Sequence, residues 1–350
     1  MQATITHVLP LTLIRRSRLL PAPGKVLVRQ GQKVNAGDIV AECRTLGQHI
    51  LIDIRRGLAI PSVEETERLI ERREGEKLKT GDIIAQTKGL LARVVRSPVD
   101  GDLVAIHNGR VLIEVPGEVT RLPAGFAGVV DEILPERGVV LQTNGALIQG
   151  VWGNDRFDQG MLLLVARSPE QELAATRLDV SMRGAVVMGG PCVDPEALRL
   201  AEEMPLRGLI VSSLALELVP QASKLKIPVV VVEGFGKIPY SSPVFKILST
   251  SEKRDVCLKA DARNPYNGDR PEIILPLPAE GQEAPATLEF QPGQLVRVHG
   301  LSLPVQTGVI FHIRAGQTLL LSGVHAPAAD VRLENNDLVT VPLANLDVLE

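Results

Sequence analysis

The chain has 350 residues, of which 45% are apolar and 3% aromatic, and its formal net charge at pH 7 is −3. This length and apolar content suffice for two or three domains with cores of their own. So few aromatic side chains leave little material for stacking bases, which disfavours a protein that binds single-stranded nucleic acid. The sequence contains no stretch of the roughly 20 apolar residues that cross a bilayer, so we expect a soluble protein with no membrane span.

Charge is distributed unevenly along the chain. Residues 1–60 hold nine Lys or Arg against three acids, a net charge of +6, and the remainder therefore carries −9. A basic segment of this kind can meet an acidic partner, a phosphate-rich polymer or the chain's own acidic part. We favour the last alternative, or simple solvation of the charges.

The cysteine content bears on the compartment and on metal binding. Cys43, Cys192 and Cys257 are odd in number and far apart, and no Cys or His lies near them at the spacing of a metal site. This usage is typical of a reducing compartment, and the first residues lack the charge order and cleavage pattern of a signal peptide. We therefore predict a cytoplasmic protein without a metal or other cofactor.

The N-terminal half contains a repeat. Residues 31–41 and residues 75–85 share the pattern G-x-K-h-x-x-G-D-h-h-A, where h is apolar, at an offset of 44 residues. Gly-Asp between short β-branched runs is typical of tight turns between strands, so the repeat indicates small, similar β units. Short apolar runs broken by turn residues continue to about residue 166 and predict an all-β half.

One helix is predicted inside this half, near residues 62–74. Ser62 and Glu65 have the spacing of a capping box, and the charged stretch that follows ends at Gly75. We assign residues 1–120 to a first β domain in which this helix separates the two repeats. Residues 121–176 are assigned to a further β unit.

The pattern changes near residue 180. Three apolar runs alternate with helical patterns, and Asp194 and Pro195 mark the start of the first helix. Strands that are apolar on both faces and alternate with helices predict a small parallel α/β domain over residues 177–260. Residues 261–286 are rich in Pro and Gly and predict a linker, with the run EIILPL as an alternative edge strand.

The second repeat resembles a known family. GDIIA at residues 81–85, followed by SPVDGDLV at residues 97–104, is similar to the two half-motifs of the biotinyl/lipoyl-like hammerhead fold. In that family a lysine at the tip of the intervening hairpin carries lipoate or biotin. Here the tip position falls on Leu90 or Leu91 and Lys88 is out of register, so the resemblance implies the fold without the cofactor. The first repeat lacks the second half-motif nearby and is expected to pair with a later segment.

The last module, residues 287–350, resembles an SH3-like barrel of the KOW type. The similarity rests on PGQLVRV at residues 292–298, Pro304, GVI at residues 308–310 and LENNDLVTVPLANL at residues 333–346. Similar modules in transcription elongation factors and ribosomal proteins contact RNA or protein. This module has three arginines against six acids, a net charge of −3, which favours a protein partner over RNA.

The candidate ligand-binding residues lie after strands of the predicted α/β domain. Gly189, Gly190 and Cys192 precede a helix N-terminus, where free amides can bind an anion and lower the pKa of a thiol. Gly234 and Gly236 follow the third strand, and carboxyl ends of parallel strands meet at one edge, so all five residues are predicted to line one crevice. A tight turn and an inert, buried thiol are the alternatives.

Three functions remain open from the sequence. Several modules of an interaction type, without a convergent catalytic set, favour a non-catalytic scaffold or adaptor that binds another protein through its β modules. One alternative is an RNA-binding KOW protein of transcription or translation. The other is a sensor or enzyme that binds a small molecule or an anion in the α/β crevice.

Overall fold

The fold is that of a computed structural model, which describes residues 3–45, 47–89, 92–262, 264, 269–285, 288–299 and 306–349. Leu90 and Leu91, the predicted hairpin tip, and Pro304 of the C-terminal resemblance lie outside these residues. Within them the chain is mainly β and forms several sheets, as predicted. A search of the same residues finds no helix with both the length and the apolar character needed to span a membrane.

The N-terminal half contains sixteen strands in the described residues. They are β1 (Thr4–Thr6), β2 (Val8–Leu19), β3 (Gly24–Val26), β4 (Lys33–Val34), β5 (Ile39–Arg44), β6 (Gln48–Asp53), β7 (Lys77–Leu78), β8 (Ile83–Gln86), β9 (Val94–Arg96), β10 (Gly101–His107), β11 (Arg110–Val115), β12 (Val119–Pro123), β13 (Gly128–Leu134), β14 (Gly138–Gln149), β15 (Trp152–Gly153) and β16 (Phe157–Leu164).

The C-terminal half mixes strands and helices. Its strands are β17 (Ala185–Met188), β18 (Gly208–Leu214), β19 (Val229–Phe235), β20 (Asp255–Lys259), β21 (Glu272–Pro276), β22 (Leu295–Val298), β23 (Gln306–Ile313), β24 (Thr318–Leu319), β25 (His325–Ala326), β26 (Ala328–Leu333), β27 (Leu338–Pro342) and β28 (Leu346–Leu349). The α-helices of the described chain are α1 (Ile54–Leu58), α2 (Val63–Arg68), α3 (Pro195–Glu203), α4 (Val219–Ala222) and α5 (Ser242–Ser249).

The two sequence repeats fold into equivalent small units. In each, the short strand after the first glycine pairs antiparallel with a later strand, β4 with β13 and β7 with β10. Asp38 and Asp82 each accept a hydrogen bond from the backbone amide three residues earlier, at 2.7 and 3.0 Å. Gly31 and Gly75 have φ values of 79° and 86°, a conformation that glycine adopts without strain. The repeated residues therefore specify the same turn twice.

The second unit is inserted into the first. β5 of the first repeat pairs with β12, and the segment 47–117, which contains the second repeat, lies between these two strands. In the second repeat the equivalent strands, β8 and β9, pair antiparallel and are close together in sequence. The insertion explains why the first repeat has no second half-motif nearby, because its pairing partner comes only after the insert. We refer to residues 47–117 as the inserted unit.

The inserted unit has a hydrophobic core of its own. Its buried apolar side chains all come from within the insert, and they are Ile54, Leu58, Leu78, Ile84, Ala85, Leu103, Val111 and Ile113. The sheet β6-β11-β10-β7 covers this core together with α1 and α2. No hydrophobic cluster of the described residues combines side chains of the insert with side chains of the rest of the chain.

The helix predicted near residues 62–74 is present but shorter. Ser62 Oγ accepts a hydrogen bond from the Glu65 amide at 3.3 Å, as the capping pattern predicts. The helix ends at Arg68, because Ile70 forms a β-bridge with Ala85 and takes the chain out of the helical path. The preceding helix α1 was not expected from the sequence.

Two glycines form a narrow neck between the inserted unit and its host. A Cβ atom at Gly47 would lie 2.1 Å from the Val115 carbonyl oxygen, and one at Gly117 would lie 1.8 Å from the Thr45 carbonyl oxygen. The Thr45 amide donates a hydrogen bond to the Glu118 carbonyl at 3.1 Å. The two chain segments therefore pass so close together that neither glycine leaves room for a side chain.

The largest sheet has eleven strands and joins the two halves of the chain. Its order is β15-β19-β18-β17-β16-β20-β21-β14-β13-β4, and β2 pairs with β14. β16, β17, β18 and β19 are parallel neighbours, in agreement with the parallel layer predicted for this region. The layer begins with β16, however, and not at residue 177, because β16 supplies the strand that pairs with β17.

The segment predicted as a linker contributes a central strand. β21 pairs with β20 on one side and with β14 on the other, so it is neither a linker nor an edge strand. Its residues Ile273, Ile274 and Leu275 are all buried, since apolar side chains on both faces suit a strand that is covered on both sides. The flanking prolines and glycines concealed this strand in the sequence.

The C-terminal unit is a six-stranded sheet with the order β1-β28-β22-β23-β26-β27. β1 pairs in parallel with β28, so residues 4–6 belong to the sheet of this unit. The sequence instead predicted that they belong to the first β domain. Its core includes Val296, Ile310, Val331 and Val348. Leu349 and Leu295 pack instead against the core of the large sheet, which seats the C-terminal unit on that sheet.

The neck generates a stability prediction. Gly117→Ala is expected to destabilise the neck by about 2 kcal/mol or more, because its Cβ atom would overlap the Thr45 carbonyl. Hydrogen exchange of the Thr45 amide should then accelerate about thirtyfold. Gly37→Ala is the control, since no atom lies within 4 Å of the Cβ position at Gly37. Equal exchange rates in the two variants would contradict the prediction.

Candidate functional site

The first pair of candidate glycines is covered by protein. Gly189 and Gly190 follow β17 and are buried. A Cβ atom at Gly189 would lie 2.9 Å from Leu173 side-chain atoms, and one at Gly190 would lie 2.1 Å from the Gln171 carbonyl oxygen. These glycines therefore admit the close approach of the segment around residues 171–173, which occupies the place predicted for a ligand.

Cys192 is an inert position in this structure. Its side chain is fully buried, and its amide donates a hydrogen bond to the Ser213 carbonyl at 2.8 Å. Burial, together with the charge of Asp194, raises the pKa of the Cys192 thiol to about 12. The helix N-terminus at Asp194 thus does not produce a reactive thiolate, and the buried-thiol alternative describes this residue.

Gly234 and Gly236 lie at the carboxyl end of β19 and are half-buried. They do not share an open crevice with Gly189, because the side chain of Tyr240 occupies the space next to Gly189. The Tyr240 hydroxyl donates a hydrogen bond to the Gly189 carbonyl at 2.7 Å. Burial and the nearby Glu233 carboxylate raise the pKa of Tyr240 well above its usual value, so the hydroxyl stays protonated as a donor. The structure therefore divides the predicted crevice.

A small cavity of about 210 Å³ remains beside Gly234, between the end of β19 and the C-terminal unit. Its lining residues come from both sides of this junction and are Glu233, Ile238, Pro239, Tyr240, Ser241, Gln306, Thr307, Glu334 and Asn335. The two carboxylates already accept internal hydrogen bonds. Glu233 Oε1 accepts from the Ser241 amide at 2.9 Å and from its hydroxyl at 2.8 Å, and Glu334 accepts from the Thr307 hydroxyl.

A buried ion pair closes the crevice behind this cavity. Arg297 of β22 is 0% exposed and Glu233 is 3% exposed, and the Arg297 Nη2 atom donates to Glu233 Oε2. Arg297 Nε and Nη1 have no hydrogen-bond partner among the described residues. Because Val296 and Val298 point into the core of the C-terminal unit, Arg297 points the opposite way, toward the large sheet.

The carboxylates that line this junction are engaged by neighbouring protein groups. Ligand pockets usually measure about 300–1,000 Å³, and this cavity is smaller. Its described lining contains neither a histidine nor a cysteine to serve as base or nucleophile. Among the described residues, no group of three or more His, Cys, Asp or Glu side chains is placed to hold a metal ion.

The basic N-terminal segment uses several of its charges internally. Arg16 forms a bidentate pair with Glu272, with Nε–Oε2 at 2.9 Å and Nη2–Oε1 at 2.6 Å, and Gln149 Nε2 also donates to Glu272, at 3.2 Å. Burial alone would raise the pKa of Glu272, but the hydrogen bond and charge of Arg16 outweigh it, so the pKa lies below its usual value. Arg15 pairs with Asp131. These contacts agree with the intramolecular alternative for the basic segment.

The C-terminal unit carries exposed apolar side chains on β23 and β27. Val309, Phe311 and Leu338 are 40, 56 and 55% exposed. Arg332 lies opposite Val309 on one side and opposite Leu338 on the other, so the four side chains share β23, β26 and β27. The Arg332 guanidinium lies 4.8 Å from the centre of the Phe311 ring, a cation–π contact. We call these four residues the apolar face.

A hairpin continues this exposed apolar character. β24 and β25 form a two-stranded hairpin that connects β23 to β26. Leu319, Leu321 and Val324 of the hairpin are exposed. No binding site was predicted at the apolar face, although the run GVIFHI contains an alternation in which Val309 and Phe311 share one side. From this alternation, an exposed apolar surface could have been predicted.

Comparisons with known proteins do not place the chain in a family. No protein-family model matches the sequence, and no curated protein matches it either.

The buried ion pair generates a prediction about stability. Arg297→Met leaves the Glu233 carboxylate buried without its cation and is expected to lower the free energy of unfolding by about 3–5 kcal/mol. Arg314→Met in the same unit removes a more exposed pair with Asp330 and should cost about 0–1 kcal/mol. Denaturant unfolding followed by the fluorescence of Trp152, the single tryptophan, measures both variants. A loss for Arg297→Met as small as that of the control would show that the pair does not hold the junction together.

Proposed function

We propose that the protein is a non-catalytic scaffold or adaptor that binds another protein through the apolar face of its C-terminal unit. The observation that carries this proposal is the group of exposed side chains Val309, Phe311 and Leu338 around Arg332. Contiguous exposed apolar side chains mark interaction surfaces on soluble proteins, and Phe and Arg are enriched at such surfaces. Elsewhere on the unit, Leu295 and Arg297 of β22 already pack against the large sheet and Glu233.

The chemistry of the apolar face favours a particular kind of partner surface. Arg332 forms no ion pair among the described residues, and its guanidinium is held over Phe311. A partner segment with an apolar side chain beside an Asp or Glu would contact the ring and the guanidinium together. The exposed hairpin would add apolar contact area at the margin of this face.

The finer architecture belongs to the same proposal. We propose that the two nested repeat units are biotinyl/lipoyl-like hammerhead modules without the modified lysine, and that the C-terminal unit is an SH3-like module of the KOW type. The equivalent pairing of the two repeats and the six-stranded C-terminal sheet support these assignments. We also retain the cytoplasm as the proposed location, because Cys43, Cys192 and Cys257 are all free thiols.

The two other functions have less support. RNA binding through the first 60 residues would need its arginines for phosphates, but Arg15 and Arg16 are held in internal ion pairs. Arg18 is half-buried, and its Nε donates to the Pro123 carbonyl at 3.3 Å. A sensor or enzyme would need an open crevice at the strand ends. That crevice is divided by Tyr240 and closed by Arg297.

The proposal is tested by comparing matched variants of the full chain. Phe311→Asp places a charge on the apolar face, and Leu216→Asp places one on an apolar residue that is 66% exposed elsewhere on the molecule. Wild type and Leu216→Asp should recover the same stoichiometric protein from the native source. Phe311→Asp should bind that protein about thirtyfold more weakly, the effect of losing a central contact of about 2 kcal/mol.

Two outcomes would contradict this assignment. Recovery of the partner by Phe311→Asp at wild-type strength would move the binding surface elsewhere on the chain. Failure of the wild-type protein to retain any stoichiometric partner would remove the scaffold hypothesis itself. Circular dichroism of both variants controls for loss of the fold.

A further inference from the structure

One strand edge of the molecule is unprotected. β6 is at the edge of the inserted unit's sheet and pairs only with β11, over six consecutive residue pairs without a bulge. It contains no proline and no lysine, the residues that usually block edge strands. In the described chain, the other edge strands longer than four residues each contain a proline: β2 has Pro10, β12 has Pro123 and β27 has Pro342.

The backbone of β6 presents a regular set of hydrogen-bonding groups at this edge. The Ile54 amide donates to the Gly109 carbonyl at 3.1 Å, which places residue 54 among the positions whose backbone groups point toward the β11 side. In an antiparallel pair these positions alternate with positions whose groups point away. The amides and carbonyls of His49 and Leu51 therefore point to the open edge, where no described backbone group meets them.

The side chains next to this edge are self-complementary. His49, Leu51 and Asp53 alternate with the core-facing residues, and Leu51 is 59% exposed. If a second β6 strand is placed antiparallel with Leu51 opposite Leu51, His49 of each strand lies opposite Asp53 of the other. The same register places outward-pointing backbone groups opposite each other. Apolar contact at the centre and an acid opposite an imidazole on either side are what a two-fold interface needs.

We propose that two copies of this chain associate through antiparallel pairing of β6 with β6, with Leu51 at the two-fold axis. The sheet of one inserted unit then continues into the sheet of the second copy. The partner surface is thus a second copy of the chain, and the proposal is independent of the function assigned to the apolar face. The neck allows it, because the described residues of the inserted unit share no hydrophobic core with those of the rest of the molecule.

Sedimentation velocity of the full chain tests the proposal. Wild type should sediment as a dimer at about 0.1 mM, a concentration at which weak specific complexes are populated. Leu51→Lys, which introduces two like charges at the axis, should weaken the dimer at least tenfold, whereas Leu216→Lys should leave it unchanged. His49→Asp should also dissociate the dimer because it faces Asp53 of the second copy, and His49→Lys should preserve it. A monomeric wild type, or a dimer that tolerates Leu51→Lys, would overturn the proposal.

Disulfide trapping gives a second measurement that does not depend on how well Leu51→Lys folds. Residues directly opposite in an antiparallel pair have Cα atoms about 5.5 Å apart, within the range that a disulfide bridges. Leu51→Cys should therefore form a covalent dimer under mild oxidation. The three native cysteines are buried and should not compete. Val104→Cys, exposed on another strand of the same sheet, is the matched control, and equal cross-linking of the two variants would contradict the register.

Discussion

The arrangement of the C-terminal half depends on the buried ion pair between Arg297 and Glu233. Two charges withdrawn from water are tolerated only when each neutralises the other, so the pair permits one seating of the C-terminal unit on the end of β19. That seating closes the strand-end crevice, where α/β sheets commonly bind ligands. Val309, Phe311 and Leu338, on β23 and β27, lie outside this junction and stay in solvent. The ion pair, together with Leu295 and Leu349, therefore defines which surface of the unit is buried against the large sheet.

Features that depend on neighbouring residues could be predicted from the sequence, whereas contacts between residues far apart in the chain could not. The Ser62 cap, the Asp194 cap and the three parallel strands are encoded by neighbouring residues, and the structure contains them. The pairing of β1 with β28 and of Arg297 with Glu233 joins residues far apart in the chain, and no local pattern encodes them. In a strand where apolar and polar residues alternate, an arginine predicts a solvent-facing position. Only the folded structure reveals the surface that covers it. The approach of Leu173 to Gly189 and the hydrogen bond from Tyr240 to the Gly189 carbonyl likewise join segments that no local pattern relates.

The nested repeats show how a fold accommodates a second copy of itself. An insertion at a hairpin end leaves the pairing of β5 with β12 intact, so the host keeps its own core while the insert brings another. Two chain crossings join host and insert, and in the described part of the chain the two have separate cores. A partner could bind the insert without affecting the C-terminal unit, because the described core residues of these two units form separate clusters.

The parallel pairing of β1 with β28 has a mechanical consequence. Thr4 lies beside Asp347 and Thr6 beside Leu349, so the chain enters and leaves the fold through adjacent strands that run in the same direction. Tension applied between the start of β1 and the end of β28 would act along both strands in opposite senses. It would load their hydrogen bonds all at once instead of opening them one after another. The hydrogen bonds between β1 and β28 would therefore resist such a force together.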